Sequence, residues 1–293
     1  MNRIICVIGP TAVGKSEMGI AIAKKVNGEI ISGDAFQFYR GLDIGTAKLK
    51  SNEWQGIKHH LIDILDPNDS MSVADYQKIV RAKIDELHKK GIVPIIVGGS
   101  GLYIQAVLYD YRFNGEKRED DSDLAKLANG ELWQLLNSIA PEIAEITDHQ
   151  NRRRLLRAIS IARSDGDAFD GLGKNKYYEN FELIGLEMPR EKLYQAIEAR
   201  VDLMFEMGLV SEVKGLYDAK VNGQSTVAIG YKELYQYFDK VRSLEETISL
   251  IKQQTRRFAK RQMTWFKNQM DAKWYTVDKT NFQAVVDQVL ADI

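Results

Sequence analysis

The chain has 293 residues, 44% of them hydrophobic, with 40 Lys and Arg residues against 41 Asp and Glu residues. This composition excludes an intrinsically disordered protein, and the single cysteine, Cys6, excludes a disulfide framework and is typical of a reducing compartment. No apolar run is long enough for a membrane span or a signal peptide, so we expect a cytoplasmic protein with no membrane partner. The net charge of -1 is not the basic balance that is typical of nucleic-acid-binding proteins.

The first part of the chain alternates short apolar runs with helical stretches, which predicts a parallel α/β sheet. In chain order, the pattern predicts a strand at Ile4–Ile8, a helix at Ser16–Val26, a strand at Glu29–Ser32, a helix at Val73–Lys90 and a strand at Ile92–Val97. A turn containing glycine follows each of these strands. Ligands bind at the carboxyl ends of parallel strands, so the three turns predict a single site.

The composition changes near residue 112. Acidic residues cluster at Glu116–Asp123, and no buried strand is evident before residue 181. We therefore expect a helical insertion domain over 112–180 and an α/β core formed by 1–111 and 181–293. The predicted elements are helices at Asp123–Ala140 and Asn151–Arg163, a strand at Phe181–Leu186, helices at Arg190–Ala219 and Leu244–Asn268, a strand at Lys273–Val277 and a terminal helix.

A phosphate-binding loop follows the first predicted strand. The pattern G-x-x-x-x-G-K-[ST] is matched in full by Gly9, Pro10, Thr11, Ala12, Val13, Gly14, Lys15 and Ser16. In such a loop, backbone N–H groups and a helix N-terminus converge on phosphate oxygens, the lysine adds a charge, and the serine hydroxyl can bind Mg²⁺. The loop predicts a P-loop core similar to that of nucleoside-triphosphate hydrolases.

The loop alone leaves the reaction open. The strand at Ile92–Val97 ends in Gly98, Gly99 and Ser100, without the Asp that holds Mg²⁺ in common NTPases. The carboxylate that follows the second strand is Asp34, which could be a general base, a Mg²⁺ partner or a turn residue. A small-molecule or nucleotide kinase and a non-catalytic RNA-binding module are the alternatives to the function that the following motifs indicate.

Several longer motifs carry a family resemblance. They are SGDAFQFYRGLDIGTAK at 32–48, HLID at 60–63, VGGSGLY at 97–103, RRLLRA at 153–158, AIGYKEL at 228–234 and KRQMTWF at 260–266. With the phosphate loop, they span roughly residues 1–270 in the same order. In these motifs the chain resembles bacterial tRNA dimethylallyltransferases, which are also called tRNA isopentenyltransferases.

The resemblance implies transfer of a dimethylallyl group from dimethylallyl diphosphate to N6 of the adenosine on the 3′ side of the tRNA anticodon. The phosphate loop would then hold a diphosphate leaving group, and whether ATP also binds it stays open. The family assigns the catalytic base to Asp34, recognition of the flipped adenine to Gln37 and contact with the leaving oxygen to Ser100. Lys15, Ser16 and Mg²⁺ would neutralise the diphosphate charge, so Lys15 is also expected to be catalytic.

The sequence departs from the family pattern at a few positions. Ala35 replaces a common Ser, and Phe36 and Phe38 replace smaller residues, which predicts a bulkier pocket edge. A tRNA-contacting arginine of many relatives has no clear counterpart in the insertion, where only Lys126 is a candidate.

Two acid-free basic runs, at Asn151–Arg163 and Lys252–Gln269, favour contact with a phosphate backbone. The alternative is that their cations pair with acids elsewhere. Trp265 and Phe266 are interpreted as core residues.

The residues expected to bind tRNA are Asp34, Ala35, Phe36, Gln37, Ser100, Arg153, Arg154, Arg157, Gly230, Tyr231, Lys232, Lys260 and Arg261. We expect a monomer that binds the anticodon stem-loop.

Overall fold

The structure is a computed structural model that describes residues 2–111, 113, 123–163 and 175–293. Most of the predicted acidic cluster at Glu116–Asp123 lies outside the described residues. The chain divides into two compact units, one formed by Met1–Leu108 and Tyr178–Ile293 and the other by Tyr109–Tyr177. Among the described residues, no helix combines the length and the apolar character needed to cross a membrane.

A six-stranded sheet forms the centre of the first unit. Its strands are β1 (Ile4–Ile8), β2 (Gly28–Ser32), β3 (His59–His60), β4 (Val93–Gly98), β5 (Phe181–Glu187) and β6 (Lys273–Thr276). The order across the sheet is β3-β2-β4-β1-β5-β6, and every pairing is parallel. Parallel sheets are covered on both faces, which explains why the apolar side chains of β1 are all fully buried. The expected fold class is confirmed.

The described helices either connect and cover these strands or belong to the second unit. In chain order they are α1 (Lys15–Val26), α2 (Val73–Lys89), α3 (Gly101–Leu108), α4 (Asn129–Ile139), α5 (Pro141–Ile146), α6 (Arg152–Arg163), α7 (Arg190–Glu206), α8 (Leu209–Asp218), α9 (Tyr231–Phe238), α10 (Leu244–Gln269) and α11 (Phe282–Asp292). Side chains of α1 and α11 pack with those of β1, β4 and β5 in one apolar core. A second core, around Tyr39 and Tyr231, lies among α7, α8, α9 and α10.

The second unit contains α4, α5 and α6. Leu132 and Leu136 of α4 pack with Leu155 and Ile159 of α6, and all four side chains are fully buried. This spacing of four residues places both side chains of each helix on one apolar face, and the two faces form a small helical core. The boundaries of the unit lie three residues before those expected from the sequence, at 109 instead of 112 and at 177 instead of 180.

Some predicted elements differ from the structure. The single helix expected at Arg190–Ala219 is interrupted at Gly208, whose φ of 99° is the left-handed conformation that a helix interior does not contain. The helix expected from Asp123 begins only at Asn129, because residues 123–126 form turns. Strand β3 has two residues, too few for any periodicity, and α3 and α9 have eight residues each, so none of the three was predicted.

Candidate active site

The phosphate loop connects β1 to α1, as its sequence predicts. Gly9 and Gly14 have φ angles of 147° and 107°, a region that strongly favours glycine. A Cβ atom at Gly9 would also lie 2.4 Å from the carbonyl oxygen of Leu186 in β5. The Lys15 ammonium donates a hydrogen bond to the Pro10 carbonyl at 2.7 Å, so it is held over its own loop.

A second cation that no sequence motif indicated reaches the loop. The pKa of Lys15 is lowered to about 7, mainly by burial and also by nearby Arg200, while Asp34 partly opposes the shift. Burial also lowers the pKa of the Arg200 guanidinium, which again interacts with Asp34. No described acid lies within ion-pair distance of Arg200, whereas other arginines of the chain have such partners. Two poorly compensated cations therefore make this pocket a site for a polyanion.

Asp34 lies in the loop that follows β2. Its Oδ1 atom accepts the Phe36 N–H at 2.9 Å, and its own N–H donates to the Ser32 hydroxyl at 3.4 Å. This turn fixes the carboxyl group in one orientation. Within the described chain no donor reaches Oδ2, so this oxygen can accept a proton or hydrogen bond from a ligand.

The loops after β2 and β4 touch each other. The Ser100 hydroxyl oxygen accepts the Ala35 N–H at 3.0 Å, and the Ser100 N–H donates to the Gly33 carbonyl at 3.2 Å. A Cβ atom at Gly98 would lie 2.1 Å from that same Gly33 oxygen, so the approach requires glycine. Because the Ser100 oxygen is an acceptor here, its hydroxyl hydrogen stays available to a ligand.

The amide group of Gln37 is held from two sides. Its Oε1 atom accepts the Ser32 hydroxyl at 3.0 Å, and its Nε2 donates to the Thr46 carbonyl at 3.3 Å. Each amide atom keeps one further hydrogen-bonding position, which suits recognition of a base edge. The prediction that Phe38 borders the pocket is wrong: its ring is fully buried and packs in the core, 5.5 Å from the ring of Tyr76. Phe36 is half-buried.

Glu212 of α8 holds the backbone of the segment 43–45. Its carboxylate accepts the N–H groups of Asp43, Ile44 and Gly45 at 3.1, 2.7 and 3.1 Å. The same carboxylate accepts the Tyr231 hydroxyl at 2.5 Å. The next carbonyl in the chain, that of Thr46, is the one that orients Gln37. Glu212 therefore fixes the segment 43–46, whose last carbonyl orients Gln37.

The side chain of Lys48 is the second support of this loop. It is only 4% exposed, and its ammonium donates to the Tyr39 carbonyl at 2.9 Å and to the carboxylates of Asp43 at 2.6 Å and Asp63 at 2.5 Å. A buried ammonium with three oxygen partners has its donors satisfied. The segment 43–48, the most specific part of the resemblance, is therefore explained by structural roles.

The motif that contains Tyr231 requires a correction. The Tyr231 side chain is fully buried and hydrogen-bonded to Glu212, so the prediction that this side chain contacts tRNA is wrong. Gly230 is buried too, with a φ of 97° that lets α9 begin sharply after it. Lys232 is exposed and is the residue of this motif that presents a charge to solvent.

The cations of α6 divide into two groups. Arg152 donates to backbone carbonyls at Leu124 and Ala125, and Arg163 pairs with Asp123 at 3.0 Å, so both hold the small helical core together. Three others are exposed and form no ion pair with any residue that the structure describes: Arg153, Arg154 and Arg157.

The cations of α10 divide in the same way. The pairing alternative is confirmed for three of them, since Lys252, Arg256 and Lys267 form ion pairs with Asp202, Glu198 and Glu187. On another face of the helix lies an open groove of about 490 Å³, lined by Arg257, Lys260, Arg261, Thr264, Trp265, Asn268 and Gln269.

Two neighbouring aromatic residues of α10, Trp265 and Phe266, have different environments. Phe266 is a core residue as expected, with a fully buried ring. Trp265 is half-buried against Gly101, where a Cβ atom would lie 2.0 Å from its ring, and its indole N–H has no hydrogen-bond partner among the described residues. The groove therefore combines three cations with an aromatic edge.

Comparison with known proteins identifies the family. The family model described as IPP transferase matches residues 37–269. The chain is 47% identical to a tRNA dimethylallyltransferase of Anoxybacillus flavithermus, over 99% of this chain and 95% of the relative, and 48% identical to that of Bacillus subtilis, over 93% and 90%.

Two solved structures agree with these matches. A tRNA isopentenylpyrophosphate transferase from Bacillus halodurans has a TM-score of 0.75 at 39% identity and covers 100% of this chain and 98% of its own. A eukaryotic dimethylallyltransferase, described as acting on tRNA, has a TM-score of 0.87 at 27% identity. The match covers 98% of this chain and 77% of the eukaryotic chain. The chain therefore belongs to the tRNA dimethylallyltransferase family of IPP transferases.

Proposed function

We propose that this protein transfers a dimethylallyl group from dimethylallyl diphosphate to N6 of the adenosine 3′-adjacent to the anticodon in tRNA, with release of diphosphate. The observation that carries the proposal is the meeting of a cationic phosphate loop and a fixed carboxylate. Lys15 and Arg200 supply the positive charge, and Asp34 interacts with both. One side of the site suits a diphosphate, and the other suits the proton of an attacking amine.

Asp34 acts as the base in this proposal. The lone pair of adenine N6 is delocalised into the ring, so the amine attacks carbon efficiently only if its proton can leave as the new bond forms. The N6–C1 bond of the product forms while the C1–O bond of the donor breaks. The electron pair of the broken bond stays on the diphosphate, and the N6 proton moves to the free Oδ2 of Asp34.

The leaving diphosphate acquires negative charge as the C1–O bond breaks. Lys15, Arg200 and the backbone N–H groups of residues 12–16 stabilise that charge at the N-terminus of α1. The available hydroxyl hydrogen of Ser100 donates to the leaving oxygen, and the spare amide positions of Gln37 bind the adenine edge. A flipped base is read by such contacts in other enzymes that modify bases.

Mg²⁺ fits this site as a partner of the diphosphate. Ser16, in the first turn of α1, has no hydrogen-bond partner for its hydroxyl among the described residues. Those residues also contain no group of three or more His, Cys, Asp or Glu side chains that would hold a metal by themselves. Mg²⁺ commonly binds through substrate phosphates, water and one or two protein ligands, so Ser16 would hold it and the ion would neutralise diphosphate charge.

The exposed cations supply the proposed contacts with the anticodon stem-loop. They are Arg153, Arg154 and Arg157 on α6, Lys232 on α9, and Lys260 and Arg261 on α10. Residues 35–37 extend from Asp34 and would contact the target nucleotide. A net charge near zero is compatible with this role, because the local density of unpaired cations sets the potential at a phosphate backbone.

The reaction is tested by incubating the protein with dimethylallyl diphosphate and unmodified tRNA, followed by mass analysis of the nucleosides. The proposal predicts one adenosine that gains a dimethylallyl group, with diphosphate released in equal amount.

The comparisons favour this reaction over a kinase, which would instead transfer phosphate from ATP. ATP binding is consistent with the fold and is measured separately by competition with inorganic diphosphate. Monomeric state and cytoplasmic location stay predictions.

A further inference from the structure

Gln262 connects two loops of the site through one buried side chain. It lies on α10 and is 6% exposed. Its Oε1 atom accepts the N–H of Thr11 in the phosphate loop at 2.9 Å. Its Nε2 atom donates to the carbonyl of Gly99, after β4, at 3.0 Å. The two partners require an acceptor and a donor respectively, so they fix the orientation of the amide.

The packing around Gln262 leaves it little freedom. A Cβ atom at Gly99 would lie 2.1 Å from Nε2, so the amide occupies the space that this glycine leaves open. On the same helix, Ala259 and Phe266 are fully buried, which anchors α10 on both sides of Gln262. The side chain therefore acts as a spacer of defined length between Thr11 and Gly99.

The two loops that Gln262 joins carry the two halves of the proposed reaction. The phosphate loop holds the donor through residues 9–16. The Gly99 loop continues into Ser100, which is hydrogen-bonded to Ala35 and Gly33 on either side of Asp34. A shift of one loop relative to the other would change the distance between the donor carbon and the adenine N6 atom.

We propose that Gln262 is a positioning residue that sets the distance between the phosphate loop, which holds the donor, and the Gly99 loop, which is hydrogen-bonded to the residues on either side of the base Asp34. This inference rests on the proposed transferase function. Lys260 and Arg261, next to Gln262, are exposed on the groove of α10, so the helix that would bind RNA also fixes the donor loop. Misplacement of reacting atoms by about 1 Å costs roughly 100-fold in rate, whereas binding of each substrate alone depends on other contacts.

The first test replaces Gln262 by methionine, which has a similar length and neither a strong donor nor a strong acceptor. We expect Gln262→Met to lower kcat by about 10- to 100-fold. The dissociation constants for dimethylallyl diphosphate and for tRNA should each stay within about threefold of the wild-type values, because their charged contacts are intact. A kcat within about twofold of wild type would overturn the proposal.

The second test uses Gln262→Glu. The ionised carboxylate still accepts from Thr11 but repels the Gly99 carbonyl, whereas the protonated carboxyl group restores both hydrogen bonds. Burial raises the pKa of an introduced glutamate, so protonation occurs within an accessible pH range. We expect the kcat of this variant relative to wild type to rise at least about fivefold between pH 8 and pH 6. Taking the ratio removes any pH dependence that both enzymes share.

The matched control is Gln253→Glu, the same substitution at an exposed position of α10. Its ratio to wild type should be flat across the pH range. A flat ratio for Gln262→Glu as well would overturn the proposal, and this result decides the question if Gln262→Met does not fold. Failure of the proposed function is distinguishable, because the wild-type protein itself would then form no prenylated nucleoside.

Discussion

The guanidinium of Arg200 lies near the ammonium of Lys15, and this second positive charge lowers the lysine pKa beyond the effect of burial. Asp34 is the acid that opposes the shift. Like charges brought together in a pocket are unfavourable until an anion enters it. The free energy released when a diphosphate enters therefore includes relief of this repulsion. Neither cation forms an ion pair with an acid that the structure describes, so both charges stay available to an anion.

Donor binding should depend on pH because of this arrangement. The pKa of Lys15 is about 7 in the free protein, and a bound diphosphate raises it by stabilising the ammonium. Binding then takes up a proton above pH 7. We expect full affinity below pH 7 and a loss approaching about tenfold per pH unit between pH 7 and pH 9. Calorimetry in buffers of different ionisation enthalpy measures both the affinity and the proton uptake.

Lys15→Ala is the control for that experiment. It removes the titrating group, so donor binding should be weaker at pH 7 and nearly independent of pH above it. Lys279, whose pKa is lowered mainly by burial and also by Arg200, stays in place in both proteins. A wild-type affinity that is constant from pH 7 to pH 9 would contradict the role assigned to Lys15.

Glu212→Gln should loosen the segment 43–46, which orients Gln37. The amide keeps an acceptor but loses the charge that binds three N–H groups and the Tyr231 hydroxyl. We expect the free energy of unfolding to fall by about 1–3 kcal/mol and the KM for tRNA to rise, since Thr46 would no longer hold Gln37. Denaturant titration and steady-state kinetics measure the two effects. Glu206→Gln, at an exposed position of α7, should change neither.

The exposed cations of α6 should contribute to tRNA affinity through phosphate contacts. Replacing Arg153 and Arg157 by Glu should weaken tRNA binding and lower the slope of log K against log salt by about 1 to 2. Binding isotherms at four salt concentrations give this slope. Lys78→Glu on α2, also an exposed position, should leave it unchanged. If the double variant kept the wild-type slope, these arginines would be solvated surface residues.

Local sequence patterns predicted the site residues that lie in a loop directly after a strand. The phosphate loop and Asp34 are of this kind, because the strand and its following loop lie next to each other in the chain. The order of the strands in the sheet was not predicted, and β3 is too short to produce a pattern.

Residues that act across long sequence separations could not be predicted in this way. Gln262 is 251 residues from Thr11, and Glu212 is 167 residues from Gly45. Arg200 lies in a helix of mixed charge, where nothing in the sequence distinguishes a half-buried arginine from a solvated one. Tyr231 shows the converse error, because its motif was assigned to the substrate while the packing of α9 buried the ring.

The most direct test of the account is Asp34→Asn. The change removes the proposed base and keeps the size of the side chain and the turn that it forms. We predict that the rate of formation of dimethylallyl-adenosine in tRNA, measured by nucleoside mass analysis in a single turnover, falls by about 100- to 10,000-fold. Diphosphate affinity should be unchanged or higher, because an opposing negative charge is lost. A rate within about threefold of wild type would contradict the assignment of Asp34 as the base and with it the proposed mechanism.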